Sequence, residues 1–488
     1  MESINNQMPL EKEARPTAAP TLYVDVDGTL IRTDLLVESA LRLVFRNPLY
    51  FFALLVWCAR GKAVLKYEIS RRVALDYQAL PYSSAFMAWL KTESASGRKV
   101  ILASASSEKY VQGIAAYLGL PADVLGSTPK HNMAGQNKLE AIQAHALGKA
   151  FDYAGNAPPD LFVWTAARHA IVVNPTRGLE AAARNIATVE IVFRTPSRTL
   201  RTWVKGLRLH QWIKNCLLAV PLFTSFQFLI VDSLIKILLA IVAFGLVASA
   251  TYLVNDLADL DSDRMHPRKC KRALAAGDIG ILQGIFAGFV LLIVGFSLAA
   301  WVSLYFMVTV GIYLVATLTY SLKLKKFMLI DVLCLAGLYT WRIVAGAAAL
   351  DVEVSNWLAA FSLFIFFSLA LVKRCAELLS LSAQSKVATK GRDYRTSDNS
   401  TLTAMGVAAG FLAVLVMALF IDTPSTAAHY STPRLLWLLC PLLLYWVGRL
   451  WIKTGRGEMH DDPIVYSARD RASWVVFGCF VIITVLAR

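Results

Sequence analysis

The chain has 488 residues, 56% of them hydrophobic, and a formal net charge of +15. So apolar a composition excludes an ordinary soluble enzyme and points to a polytopic membrane protein. In that class a basic balance reflects cytoplasmic loops and phosphate-bearing substrates, and argues against nucleic acid as the partner. The seven cysteines are scattered without a CxxC pair, which argues against a metal knuckle or a disulfide framework.

Residues 1–20 are polar and mixed in charge, which predicts a disordered tail rather than a signal or transit peptide. The segment beyond residue 20 is therefore expected to stay in the cytosol. Over 21–192, strand-like runs ("TLYVDVDG", "RKVILASAS", "HAIVVN") mix with helical stretches, the pattern of a parallel α/β domain. "YVDVDGTL" delivers Asp25 and Asp27 from the end of an apolar strand. Two residues apart, they point the same way. The first can attack phosphorus and the second can move the proton. A cation must balance the phosphate, so Mg²⁺ is expected.

This stretch resembles the first motif of the haloacid dehalogenase (HAD) superfamily, whose domains are Rossmann-like phosphatases. The resemblance implies Ser104 in "VILASAS" as a phosphate-binding hydroxyl and Lys138 in "QNKLEAI" as the motif lysine. It also implies metal ligation by Asp25, Asp27 and the segment "FDYAGNAPPD". There Asn156 stands where an Asp normally follows the Gly, with Asp160 after it and Asp152 before it. An amide oxygen can ligate Mg²⁺ without its charge. A degenerate domain kept as a scaffold is the alternative. A helical cap is expected over about 31–95. It contains "NPLYFFALLVWCAR", apolar on all sides and too short to span a bilayer. Either it is buried within the cap or it touches the membrane.

The basic segment 193–213, "FRTPSRTLRTWVKGLRLHQWIKN" at its fullest extent, suits an anionic membrane surface. From 214 to 488 the chain reads as an all-α membrane domain. Nine spans are expected, near 214–231, 233–254, 280–299, 302–320, 328–349, 356–373, 402–421, 434–452 and 473–487. The loops after the second, fourth, sixth and eighth are rich in Lys and Arg, and their alternates are not. The positive-inside rule then puts the α/β domain and these loops on the cytoplasmic side of the inner membrane, and the C-terminus on the periplasmic side.

The second span ends in "NDLADLDSDRMHPRKCKR". Asp256, Asp259 and Asp263 fall at i, i+3, i+7 on one helix face, bordered by Asn255, while Asp261 points away. Such a row is tolerable with divalent cations between the carboxylates. It reads as a Mg²⁺–diphosphate site. His266, Arg268, Lys269, Lys271 and Arg272 form its anion-binding rim. A solvated loop would explain the bases but not the one-faced acids.

"NDxxDxxxD" in this position resembles the UbiA superfamily of membrane prenyltransferases. "YSLKLKKFMLIDV" and "YTWRIVAG" look like its second conserved region. That resemblance implies phosphate binding by Tyr320, Lys323, Lys325 and Arg342, and a second metal-side acid at Asp331. "HPxK", "QWIKN" with Lys214, "LALVKRCAEL" with Lys373 and Arg374, and "RGEMHDDP" are similar to the decaprenyl-phosphate phosphoribosyltransferase branch. One departure is Arg272–Ala273, where that branch commonly has Arg-Pro. Lys373, Arg374, Glu377, Glu458, His460, Asp461 and Asp462 either complete the expected rim or are loop charges and structural pairs.

The resemblance implies Mg²⁺ in both domains, with phosphoribosyl diphosphate and a polyprenyl phosphate as substrates. The fused phosphatase would remove the 5-phosphate from the lipid product. The rivals are an aromatic prenyltransferase using a polyprenyl diphosphate, and a non-catalytic membrane scaffold. Oligomeric state is not readable from the sequence.

Overall fold

The computed structural model describes residues 19–195, 200–383, 392–424, 426, 430–459 and 462–488. The tail 1–18, part of the basic linker, Lys386 and Lys390 of the loop after the sixth expected span, His460 and Asp461 lie outside the described residues. The chain forms two compact units: Met1–Trp203 with Asp256–Gly284, and Val204–Asn255 with Ile285–Arg488. The polar segment behind the acid row therefore groups with the α/β part, although it comes after a membrane helix in sequence.

The first unit is built on six parallel strands in the order β3-β2-β1-β4-β5-β6. They are β1 (Thr21–Val24), β2 (Val100–Ser107), β3 (Leu125–Ser127), β4 (Phe151–Gly155), β5 (His169–Val173) and β6 (Thr188–Phe193). Strands buried on both faces read as continuous apolar runs. Along β1, Leu22 and Val24 join one core and Tyr23 the other. The strand order reverses between β1 and β4, and such a switch point opens a crevice at the strands' carboxyl ends. Asp25 and Asn156 directly follow those two strands.

Four helices lie between β1 and β2: α1 (Leu35–Arg46), α2 (Tyr50–Ala59), α3 (Lys62–Arg72) and α4 (Ser84–Ala95). Asp34 caps α1 by accepting from the backbone N–H of Leu36 and Val37. The sheet is completed by α5 (Glu108–Leu118), α6 (Gln136–Ala146), α7 (Leu161–Trp164) and α8 (Leu179–Ile186). None of the residues of α2 is fully buried, so of the two readings of this stretch the buried cap helix is not the one found.

The second unit is helical. After α9 (Leu200–Gly206) and α10 (Val220–Thr224) come α11 (Val231–Ala258), α12 (Leu260–Arg264), α13 (Ile281–Val302), α14 (Leu304–Leu322), α15 (Ile330–Leu350), α16 (Asn356–Ser382) and α17 (Asn399–Ile421). The last helices are α18 (Leu439–Gly455), α19 (Pro463–Arg469) and α20 (Arg471–Ala487). The last turn of α11, all of α12 and the start of α13 lie in the first unit.

Among the described residues seven helices are long and apolar enough to cross a bilayer, and eight if the bent pair α19–α20 is one span. The protein is thus a multi-pass membrane protein with fewer spans than the nine expected. The segment 214–231 is the clearest correction. It folds as a 3₁₀ stretch (Leu209–Ala219), the five-residue α10 and a 3₁₀ turn (Gln227–Leu229). Pro221 removes a helical donor, and Phe226 takes a left-handed φ of 56°. At the other end, α20 has 17 residues and meets α19 at 83°.

The segment 209–219 packs instead on α15. A Cβ on Gly346 would come within 2.0 Å of the Leu218 carbonyl oxygen. Gly346→Ala is therefore expected to force backbone apart, at about 1–3 kcal/mol for overpacking. The expected outcome is a lower melting temperature for the detergent-solubilised chain by scanning fluorimetry. An unchanged value would show that the two segments separate freely.

Candidate functional site

At the ends of β1 and β4 a buried polar cluster gathers residues from distant parts of the chain. Lys138 Nζ donates to Asp25 Oδ1 at 2.8 Å, to the Tyr153 hydroxyl at 2.9 Å and to Asp160 Oδ1 at 3.3 Å. Asp27 Oδ1 accepts from the Leu35 N–H at 2.8 Å, and its Oδ2 accepts from Ser104 at 3.1 Å and Ser106 at 2.6 Å. The turn that holds both carboxylates needs Gly28. Its φ is +76°, and a Cβ there would lie 2.1 Å from the Asn156 amide nitrogen. Asn156 Oδ1 accepts from Thr29 at 3.3 Å.

Burial in this cleft pushes the Asp25 carboxyl up to about 7, with Asp160 and Asp27 adding to the rise and Lys138 opposing it. Burial likewise pushes Asp27 up to about 6, assisted by Asp34. Burial works against the charge on Lys138, but Asp25 and Asp160 overcome it and hold its ammonium above the ordinary value.

Asp25, Asp27, Ser104, Lys138, Asn156 and Asp160 are thus brought together. Asp160, however, is occupied by protein donors. Its Oδ2 accepts from the N–H groups of Asn156 (2.9 Å) and Ala157 (3.0 Å), and its Oδ1 from Tyr153 (2.6 Å) and Lys138. As placed, it shapes the loop and steadies Lys138. Asp152 is engaged by Arg98 and Arg168.

Sequence reading missed Ser106, which shares a strand face with Ser104 and was visible in the i, i+2 alternation. It also missed Tyr153, Asn132 and the cap residue Lys66. From α3, Lys66 Nζ donates to the Ala105 carbonyl at 2.6 Å and to Asn132 Oδ1 at 2.7 Å. Burial lowers its ammonium. No local pattern announces a cation delivered from a neighbouring helix.

The acid row lies at the end of α11. Asp256 is on its last turn, Asp259 sits at the break before α12, and Asp263 is on α12. Arg272 Nη1 donates to Asp256 Oδ1 at 3.1 Å and to Asp263 Oδ2 at 2.5 Å, so these two carboxylates converge. Among the described residues, Asp263 Oδ1 is buried without a hydrogen-bond donor, and its nearby cation, Lys269 Nζ, is 3.8 Å away. His266 turns into its own loop, where Nδ1 accepts from the N–H groups of Arg268 and Lys269. Asp261 pairs with Arg42, away from the row.

In the second unit, Asn255 is half-buried on α11. Tyr320 is half-buried at the end of α14, and Lys323 and Lys325 occupy the turn after it. Asp462 accepts from Lys214 at 2.7 Å, from Lys373 at 3.0 Å and from the Tyr339 hydroxyl at 3.1 Å. Burial opposes its charge, and the two lysines overcome this and hold its carboxyl below the usual carboxylate range. Arg342 donates to Asn215 at 3.3 Å and Tyr313 at 3.0 Å, and its guanidinium lies 5.5 Å from the Tyr339 ring centre. Lys214, Lys373 and Arg342 are therefore gathered around one carboxylate and an aromatic cage.

Asp331 and Arg374 are not part of that group. They are fully buried and pair with each other at 2.7 Å, and Tyr394 donates to the same Asp331 carboxylate. The expected second metal-side acid and an expected rim cation are thus partners in a buried ion pair. Breaking such a pair leaves an uncompensated charge.

The family model for the UbiA prenyltransferase family matches residues 218–474, and the chain belongs to that family. An uncharacterized protein of Sinorhizobium fredii, y4nM, is 33% identical over 458 residues, 93% of this chain and 88% of its own. The nodulation protein NoeC of Azorhizobium caulinodans is 32% identical over 276 residues, 56% of this chain and 89% of its own. A decaprenyl-phosphate phosphoribosyltransferase of Corynebacterium glutamicum is 34% identical over 191 residues, 38% of this chain and 58% of its own. The similarity to y4nM extends through the α/β part.

The raised Asp25 carboxyl sets a pH dependence. The folded unit holds that proton up to about pH 7, whereas an unfolded chain releases it near 4. The contribution of this group to stability is therefore present below pH 4 and is lost as pH rises to 7. Asp25→Asn is expected to protect the α/β unit at pH 8 in EDTA, with a gain of a few degrees that shrinks towards pH 5. Limited proteolysis of the full chain against temperature checks this. A gain that is the same at both pH values would contradict it.

Proposed function

We propose that this protein transfers 5-phosphoribosyl from phosphoribosyl diphosphate to a polyprenyl phosphate, releasing diphosphate, and that its α/β unit then removes the 5-phosphate. The observation that carries the transferase reading is the acid row. Arg272 draws Asp256 and Asp263 together and leaves a buried carboxylate oxygen without a donor. Family membership supports transfer chemistry, and the similarity to decaprenyl-phosphate phosphoribosyltransferases supports a sugar diphosphate as donor.

The row fits Mg²⁺. Its donors are carboxylate oxygens, and Asp263 Oδ1 has no hydrogen-bonding partner among the described residues. Asp256, Asp259 and Asp263, with Asn255, would hold the ion, which when bound draws charge onto the leaving diphosphate. Lys269 and Arg272, which border the row, form the basic rim that orients it. The bond from ribose C1 to the diphosphate oxygen breaks and a lipid phosphate oxygen bonds to C1. Lys214, Arg342 and Lys373 provide a net positive cluster suited to phosphate. Tyr320, Lys323 and Lys325 extend this basic set.

In the α/β unit, Asp25 attacks the 5-phosphate and the ribose O5–P bond breaks. Asp27 gives its proton to O5 and then takes one from the water that hydrolyses the aspartyl-phosphate. Ser104 and Lys138 hold the phosphate and balance its charge. The donor set fits Mg²⁺ here too, with Asp25, Asp27 and the Asn156 amide offering oxygens, and the ion would neutralise the bound phosphate. The ion pairs of Arg264 with Glu38 and of Asp261 with Arg42 keep the acid row on the α/β unit, and the basic loops favour the cytoplasmic face of the inner membrane for both activities. A covalent tether raises the local product concentration to about millimolar.

The purified chain should convert labelled phosphoribosyl diphosphate and polyprenyl phosphate, with Mg²⁺, into a labelled lipid. Asp263→Asn should lower the rate by about 10²-fold or more. Asp25→Asn should leave the 5-phosphate on the lipid. If no labelled lipid forms while polyprenyl diphosphate alkylates an aromatic acid, the sugar-transfer reading falls. Unchanged product from Asp25→Asn removes the phosphatase step alone.

A further inference from the structure

The helix α2 has two apolar faces where an amphipathic helix has one. Tyr50, Leu54 and Trp57 pack inward on the core of the α/β unit. The opposite side shows Phe51, Phe52, Leu55 and Val56 to the outside, each more than half exposed, and Leu49 before them is 70% exposed. Five large apolar side chains in one contiguous stretch form the kind of patch that marks an interaction surface. Its ends are cationic, with exposed Arg46 on one side and exposed Arg60 and Lys62 on the other.

Neighbouring elements locate this patch. The preceding helix α1 lies against the end of the membrane-crossing helix α11. Arg42, Phe45 and Arg46 share a small cavity with Leu257, Ala258 and Asp261, and Arg42 pairs with Asp261 at 2.5 Å. Only three residues separate α1 from α2, a reach of about 14 Å across four peptide steps. The patch thus follows, three residues on, a helix that contacts the C-terminal end of α11. At ten residues α2 is about 15 Å long, half of what a crossing needs.

We propose that α2 lies in the surface of the bilayer, with Phe51, Phe52, Leu55 and Val56 among the acyl chains and Arg46, Arg60 and Lys62 on anionic headgroups. Its inner side packs on α3, where Arg72 lies 4.7 Å over the Trp57 ring. From α3, Lys66 reaches the end of β2 beside the Asp27 cluster. The bilayer contact therefore sits one helix away from the cleft at the end of β1, and it presents that cleft to phosphates carried on lipids. The contact itself does not rest on the phosphoribosyl reading.

The test uses the full chain in nanodiscs containing phosphatidylglycerol, with p-benzoylphenylalanine in place of Phe52 and, separately, in place of Leu147, which is 84% exposed elsewhere on the same unit. After irradiation, mass spectrometry should find phospholipid on the position-52 peptide at about tenfold or more the level at position 147. Equal lipid at the two positions overturns the proposal. So does crosslinking at 52 to protein alone, which would assign the patch to a second copy or to another part of the chain. The adduct forms without turnover, so an inactive phosphatase leaves the bilayer contact standing. An absent adduct removes the contact whatever the activities are.

Discussion

Arg272 reaches back to Asp256 and Asp263 and holds two carboxylates that would otherwise repel each other at the mouth of a membrane helix. Coulombic repulsion at such a boundary, where water is scarce, is far stronger than in bulk solvent. The guanidinium bridges the two across the break at Asp259. The same 256–284 segment carries Arg264, which donates to the buried Glu38 at 2.7 Å, and Asp278, which accepts from Arg32 at 2.6 Å. Both contacts end on or beside α1, whose first N–H is the donor to Asp27. Acid row and α/β cleft are thus braced by one continuous set of charged contacts.

Much of the architecture was legible because it rests on local chemistry. A run of apolar residues ending in Asp25 and Asp27 is what a doubly buried parallel strand looks like. The i, i+3, i+7 spacing of Asp256, Asp259 and Asp263 survives in outline because only one residue interrupts the helical path. The gathering of Lys214, Arg342 and Lys373 was legible only as a set of basic motifs. Asp462, the shared partner of the two lysines, had been read as one of several loop acids.

Pairing and backbone continuity escaped the sequence. Asp331 and Arg374 each looked like a substrate-facing charge at a helix end, and nothing local shows that burial makes them partners. Lys66 enters the cleft through tertiary packing of α3. The overcount of spans has a different cause. Hydropathy sums side chains and is blind to the backbone, so the residues around Pro221 and Phe226 scored as a span while their geometry forbade a continuous helix. The two readings of α2 stayed open for a related reason, since apolar composition reports a preference for leaving water without saying whether protein or lipid receives the side chains.

The bracing of α1 by residues 256–284 bears on how such a chain can be recombined. The basic linker looks like the natural place to exchange one N-terminal half for another. A crossover there would leave Arg264, Asp261 and Asp278 facing helices without Glu38, Arg42 and Arg32, stranding a buried guanidinium. Glu38 and Arg264 are 226 residues apart, yet they must be inherited together. The heritable module is therefore discontinuous, an N-terminal block plus a short insert carried within the membrane half.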